Sequence, residues 1–142
     1  MTTRTGSARY EGLGQEGRGH VSTQSGVLTD QFYGFNTRFG DEEGTNPEEL
    51  IAAAHAGCFT MALSFALARA GFSEGTIDTE AAVKLEQDGE GGFTITRSDL
   101  TLIAKVPGIA EEQFQALAES AHLNCPVSKL LKAESALSAT LA

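Results

Sequence analysis

Asn46-Pro47-Glu48-Glu49-Leu50-Ile51-Ala52-Ala53-Ala54-His55-Ala56-Gly57-Cys58-Phe59-Thr60-Met61-Ala62-Leu63-Ser64-Phe65-Ala66-Leu67-Ala68-Arg69-Ala70-Gly71 is the stretch around which the rest of the chain must be arranged. Asn46 is a strong N-cap residue, Pro47 suits the first helical position, and two acids in the first turn, Glu49 three residues after the cap, complement the dipole. A helix is expected to run to about Ala70, with Gly71 as its C-cap and Arg69 beside its last carbonyls. From Leu50 to Ala68 there is no Asp, Glu, Lys or Arg, and about 20 apolar residues are long enough to span a bilayer. Seven of these nineteen residues are alanine, and His55, Gly57, Cys58, Thr60 and Ser64 interrupt them, so the helix suits a protein interior better than lipid. A helix with so few sides that want water is expected at a centre, wrapped by other elements, some of them from a partner chain.

Working outward, the first forty residues are rich in Gly, Thr, Ser and aromatic positions, and Tyr10 to Gly14, Gln24 to Gly26 and Phe32 to Phe39 read as short strands and turns. Downstream, Thr76 to Glu86 alternates apolar and polar residues, a strand with one wet face. The turn Asp88-Gly89-Glu90-Gly91-Gly92 sends the chain back. In the return strand Phe93 and Ile95 are odd but Leu100, Leu102, Ala104 and Val106 are even, and that switch of parity predicts a bulge near Ser98-Asp99. Pro107-Gly108 ends the strand. Phe114, Leu117, Ala121 and Cys125 follow helical spacing, Pro126 starts a second short helix through Leu131, and Leu137 to Leu141 reads as a last strand. The expectation is an α+β fold in a single domain over residues 1–142, without repeats or a linker.

Composition narrows the function. With 41% hydrophobic and 20% charged residues the chain is of ordinary globular type. A net charge of −9 repels phosphate backbones and anionic membrane surfaces, so neither nucleic acid nor membrane is an expected partner. Two cysteines are too few for a disulfide scaffold, and Met1 to Gly6 has no apolar leader. The expected compartment is the reducing cytoplasm, where a conspicuous cysteine is reactive or metal-bound more often than bridged.

The residues themselves leave several chemistries open. Cys58, inside the uncharged helix, reads locally as packing. Cys125, directly before Pro126, sits at the start of a helix where amides and the dipole favour a thiolate, so local physics makes it the more acidic thiol. His55-Ala56-Gly57-Cys58 and His122-Leu123-Asn124-Cys125 are two His-x-x-Cys pairs; residues i and i+3 share a helix face, and four such ligands could hold a structural zinc ion. Arg38, within Gly34-Phe35-Asn36-Thr37-Arg38-Phe39, needs an anionic partner if buried, and a thiolate would serve; the alternative is that it points outward from a strand. His20 reads as a surface or turn residue.

Tyr33-Gly34-Phe35-Asn36-Thr37-Arg38-Phe39, Gly44-Thr45-Asn46-Pro47-Glu48-Glu49-Leu50-Ile51, Ala53-Ala54-His55-Ala56, Cys58-Phe59, Met61-Ala62-Leu63-Ser64 and Asn124-Cys125-Pro126-Val127-Ser128 together resemble the osmotically induced protein C (OsmC) family. The arginine segment, the capped helix with its cysteine and the distal Cys-Pro occur in the family's order along the whole chain. The sister organic hydroperoxide resistance (Ohr) group shares the Asn-Pro-Glu helix and both cysteines, but takes its arginine from a more N-terminal segment, so Arg38 favours the OsmC branch.

The resemblance implies an OsmC-like fold, with antiparallel sheets wrapped around long central helices in an intertwined homodimer, and a thiol peroxidase acting in oxidative or osmotic stress defence. It makes Cys58 the peroxidatic thiolate, Cys125 the resolving thiol, Arg38 the cation that stabilises the thiolate and polarises the peroxide, and Glu48 the carboxylate that orients Arg38. This reverses the local ranking of the cysteines. It also implies no bound cofactor, an external dithiol reductant of the lipoyl type, and organic hydroperoxides as substrate, favoured by an apolar site with residues such as Phe59 and Met61. Glu48 and Cys58 are ten residues apart on one expected helix, about 15 Å along its axis at 1.5 Å per residue. On that spacing Glu48, and Arg38 with it, are expected to reach Cys58 from the other subunit.

Overall fold

The computed structural model describes residues 1–142. It resolves into two compact units, residues 1–50 and 51–142.

The first unit is a three-stranded antiparallel sheet, β1 (Gly6–Glu11), β2 (Arg18–Thr23) and β3 (Gln31–Tyr33), in that order. Its first strand starts earlier than the aromatic and glycine pattern suggests, and residues 14–16 form a 3₁₀ turn against which the Tyr10 hydroxyl donates to the Gly14 carbonyl at 2.8 Å. All six residues of β1 are exposed, so no buried face leaves an alternating signal to read. His20 lies in β2 opposite Phe32, half-buried, rather than in a turn.

The segment expected as strand from Phe32 to Phe39 divides. Only its first residues pair; Phe35–Phe39 is a short helix, α1. Thr37 makes the difference. Its buried hydroxyl accepts the Gly34 amide at 2.8 Å and donates to the Gly34 carbonyl at 3.0 Å, tying off the first turn. Gly44, at φ +150°, passes so close to the Phe32 carbonyl that a Cβ would lie 2.6 Å from that oxygen.

Helix α2 (Pro47–Arg69) begins as the capping pattern requires: the Glu49 amide donates to Asn46 Oδ1 at 2.8 Å, and the Thr45 hydroxyl to Glu49 Oε2 at 2.8 Å. At its end Gly71 takes φ +99°, and the Phe72 amide returns to the Leu67 carbonyl at 3.0 Å, a glycine-terminated close. By length and composition the helix could cross a membrane. One stripe of it, His55, Phe59, Leu63 and Leu67 at four-residue spacing, is buried; another, Gly57, Met61, Phe65 and Ala68, is exposed.

The second unit sets that buried stripe in a core with β5 (Phe93–Lys105) and α3 (Glu111–Asn124). β4 (Thr76–Gln87) pairs antiparallel with β5, and β6 (Leu137–Leu141) joins the other edge of β5 in parallel, the exception to otherwise antiparallel pairing. The bulge exists, but at Thr96: Lys84 pairs Arg97 while Leu85 pairs Ile95. That extra residue turns Ser98, Leu100, Leu102 and Ala104 inward. The short helix α4 (Pro126–Leu130) follows α3 directly.

Asn46 holds two segments at once, since its amide nitrogen also donates to the Thr37 carbonyl at 3.2 Å. Asn46→Ala should therefore destabilise the protein by about 1–2 kcal/mol, the upper part of the range for losing an N-cap, measured by urea unfolding. Asn46→Asp, which keeps the cap and loses only the donor, should recover most of that.

Candidate active site

Chemistry-bearing side chains gather in both units. In the first unit Arg38, carried on α1, meets Glu48 in the first turn of α2. Nε and Nη2 both lie 2.7 Å from Glu48 Oε1. The guanidinium side chain is 36% exposed and the carboxylate 11%, so its partner is this carboxylate, and it does not point outward from a strand. Both bonds fall on one oxygen; Glu48 Oε2 is buried without a hydrogen bond. The Nε–Nη2 edge of the fork is thus occupied and the Nη1 end is left for an incoming group. Arg38 borders a cavity of about 180 Å³ whose walls include Tyr10, Tyr33, Phe35 and Phe39.

In the second unit Cys58 and Cys125 are neighbours, both as free thiols. Cys58 is half-buried on α2, and Cys125 is buried at the junction of α3 and α4. Burial raises the Cys58 thiol above its ordinary value; the Val127 backbone amide opposes this, and hydrogen bonding and charge from Cys125 add to the rise. Cys125 is the N-cap of α4, and its sulfur accepts the Ser128 amide at 3.3 Å, as its place before Pro126 suggests.

Reading spacing alone missed a third group. His55, fully buried, has Nδ1 2.6 Å from Ser98 Oγ and Nε2 2.8 Å from Ser128 Oγ, and the Ser128 hydroxyl also lies 3.2 Å from Cys125 Sγ. Burial lowers the His55 pKa, and the nearby His122 lowers it further, so the ring is neutral at pH 7. His122 Nε2 lies 2.9 Å from Ser135 Oγ, while Nδ1, 4.0 Å from Glu119, has no hydrogen bond. The zinc reading of the two His-x-x-Cys pairs is not supported. Both nitrogens of His55 are taken by hydroxyls, and no three His, Cys, Asp or Glu side chains converge where they could share an ion. Phe59 lines no open site either, being wholly inside the core, whereas Met61 is on the exposed stripe of α2.

Residues 40–139 match the family described as OsmC-like protein. The chain belongs to the OsmC family. Over 129 residues it is 54% identical to Peroxiredoxin OsmC of Escherichia coli (strain K12), covering 91% of this chain and 90% of that protein. Over 112 residues it is 36% identical to Organic hydroperoxide resistance protein OhrB of Bacillus subtilis (strain 168), covering 78% and 79%. Among solved structures it is similar to the crystal structure of OhrB from Bacillus subtilis, with TM-score 0.71, 30% identity, and 99% and 98% of the two chains covered. A second crystal structure, an organic hydroperoxide resistance protein from Elizabethkingia anophelis, gives TM-score 0.75 at 29% identity, with 100% and 96% covered. The mixed α+β arrangement is thus that of the OsmC family and its Ohr relatives.

Since hydrogen bonding and charge from Cys125 help to hold the Cys58 thiol protonated, Cys125→Ala should lower the pH midpoint for alkylation of Cys58 in this OsmC-family chain. Iodoacetamide labelling followed by peptide mass spectrometry measures it; an unchanged or raised midpoint would contradict the assigned cause.

Proposed function

We propose that this chain is a thiol peroxidase that reduces organic hydroperoxides and serves in stress defence. The observation that carries the reading is the pairing of Cys58 on α2 with Cys125 at the α3–α4 junction, two free thiols of an OsmC-family chain whose relatives are named for peroxiredoxin activity and hydroperoxide resistance. The Cys58 thiolate attacks the distal peroxide oxygen. An S–O bond forms, the O–O bond breaks, and the leaving alkoxide takes a proton and departs as alcohol. The resulting sulfenic acid condenses with Cys125 to a disulfide and water, and an external dithiol, of lipoyl type, restores both thiols by exchange. This cycle asks for no prosthetic group.

Burial opposes ionisation of Cys58, so a cation must assist it. Arg38, steadied by Glu48 and leaving Nη1 open beside aromatic walls, is suited to hold the thiolate and polarise an apolar hydroperoxide. In this reading the Arg38–Glu48 pair serves Cys58 of the partner subunit in a two-fold homodimer, and the two units of each chain act as one domain. The uncharged, exposed stripe of Met61 and Phe65, 62% and 58% accessible in a single chain, supports such pairing. The protein would work in the cytoplasm, where dithiol reductants are at hand.

Cys58→Ser should abolish consumption of cumene hydroperoxide in a lipoyl-coupled assay, and Arg38→Ala should lower kcat/KM by about 100- to 1,000-fold, as for loss of a charge-stabilising donor. Retained turnover in Cys58→Ser would sink the assignment. Mixed dimers of Cys58→Ser with Arg38→Ala chains should regain activity, because one site then has both groups. Mixed dimers as inactive as either parent would show that each chain completes its own site.

A further inference from the structure

The cycle above uses neither nitrogen of His55, although this is the most completely engaged polar side chain in the core. Three elements meet on it. The bulge at Thr96 turns Ser98 of β5 inward to Nδ1, α4 presents Ser128 to Nε2, and α2 carries the ring itself. Ser128 is the bridge, because its single hydroxyl reaches both Nε2 at 2.8 Å and Cys125 Sγ at 3.2 Å, while its amide donates to the same sulfur at 3.3 Å.

Building on the peroxidase reading, we propose that His55 is a positioning residue for the resolving step, accepting the Cys125 proton through Ser128 as Cys125 attacks the oxidised Cys58. A hydroxyl both donates and accepts, and a neutral imidazole has one N–H and one lone pair. The reduced site can therefore hold Cys125 S–H on Ser128 Oγ, Ser128 O–H on Nε2, and Nδ1–H on Ser98 Oγ. Moving one proton along the chain reverses it. Nε2–H then donates to Ser128 Oγ, Ser128 O–H donates to the Cys125 thiolate, and Nδ1–H stays on Ser98. Cys125 is only 1% exposed, and a thiolate there without such donors would be a buried, unpaired charge.

The step balances without an outside oxidant. An S–S bond forms between Cys58 and Cys125 and the S–O bond of the Cys58 sulfenic acid breaks; the Cys58 sulfur is reduced and the Cys125 sulfur oxidised. Hydroxide leaves, and once His55 has passed its proton to solvent the sum released is one water. Burial is the larger cause that disfavours a charged ring, and the titratable group that adds to it is His122 of α3.

The test uses the full chain treated with one equivalent of cumene hydroperoxide and quenched over time. Two rates are followed, loss of hydroperoxide and appearance of the Cys58–Cys125 disulfide by mass spectrometry. In Ser128→Ala, disulfide formation should slow relative to hydroperoxide loss by about 100-fold at neutral pH, the lower end of the range for proton-transfer catalysis. The deficit should close as pH rises, because hydroxide can then take the proton that the missing relay would have carried. Ser128→Thr, which keeps the hydroxyl, should restore the ratio, and His55→Gln, which is riskier for the fold, should behave like Ser128→Ala. An unchanged ratio in Ser128→Ala, a deficit independent of pH, or no rescue by threonine would overturn the proposal. If the unmodified protein consumed hydroperoxide without forming this disulfide, the resolving role of Cys125 itself would fall, and that outcome is distinct from the other three.

Discussion

Helix α2 offers nineteen consecutive residues without a charge, and the second unit is organised by what covers them. Phe59, Leu63 and Leu67 enter a core with Leu100, Leu102 and Ala104 of β5 and with Phe114, Ala118 and Ala121 of α3. Each large apolar side chain buried there contributes about 1.5–3 kcal/mol. Such a helix cannot be satisfied by one layer. Its inner stripe is covered by its own chain, while Gly57, Met61 and Phe65 stay on a face that a single chain leaves to solvent.

That same burial creates the chemical problem of the site. A thiol on a core-facing helix is discouraged from ionising, and a buried imidazole likewise. Hydroxyls answer part of this. Ser98 and Ser128 satisfy both nitrogens of His55, and Ser128 extends the chain of bonds to Cys125, so this buried imidazole does not stand alone. In the proposed cycle the reactivity of Cys58 is met by charge. Arg38 and Glu48 supply a prearranged cation in which one carboxylate oxygen takes two donors and leaves part of the guanidinium uncommitted.

The roles proposed for Cys58, Cys125, Arg38 and Glu48 come from the resemblance and not from local physics. Asn46, Pro47 and Glu49 marked the start of α2 because capping is a contact among residues three apart, and the alternation of Thr76 to Glu86 marked β4 because one face is wet. Parity betrayed a bulge in β5, yet only pairing with Lys84 and Leu85 put it at Thr96. The helix at Phe35–Phe39 was hidden, since its five residues are too few for a period and its start depends on the Thr37 hydroxyl. Spacing also made His55 a plausible zinc ligand, because i and i+3 share a face, but says nothing of what lies across from that face.

By itself, then, the sequence determined where α2 and β4 begin and end, that one helix has few sides that want water, and which thiols and arginine the chain has. These are properties of near neighbours and of composition. Tertiary structure alone decided that Cys58 lies beside Cys125, that Arg38 spends two donors on Glu48, and that His55 turns both nitrogens to serines 43 and 73 positions away. Contacts at such separations depend on how a bulge and a helix junction aim side chains into a shared core, and no local pattern of residues encodes that direction.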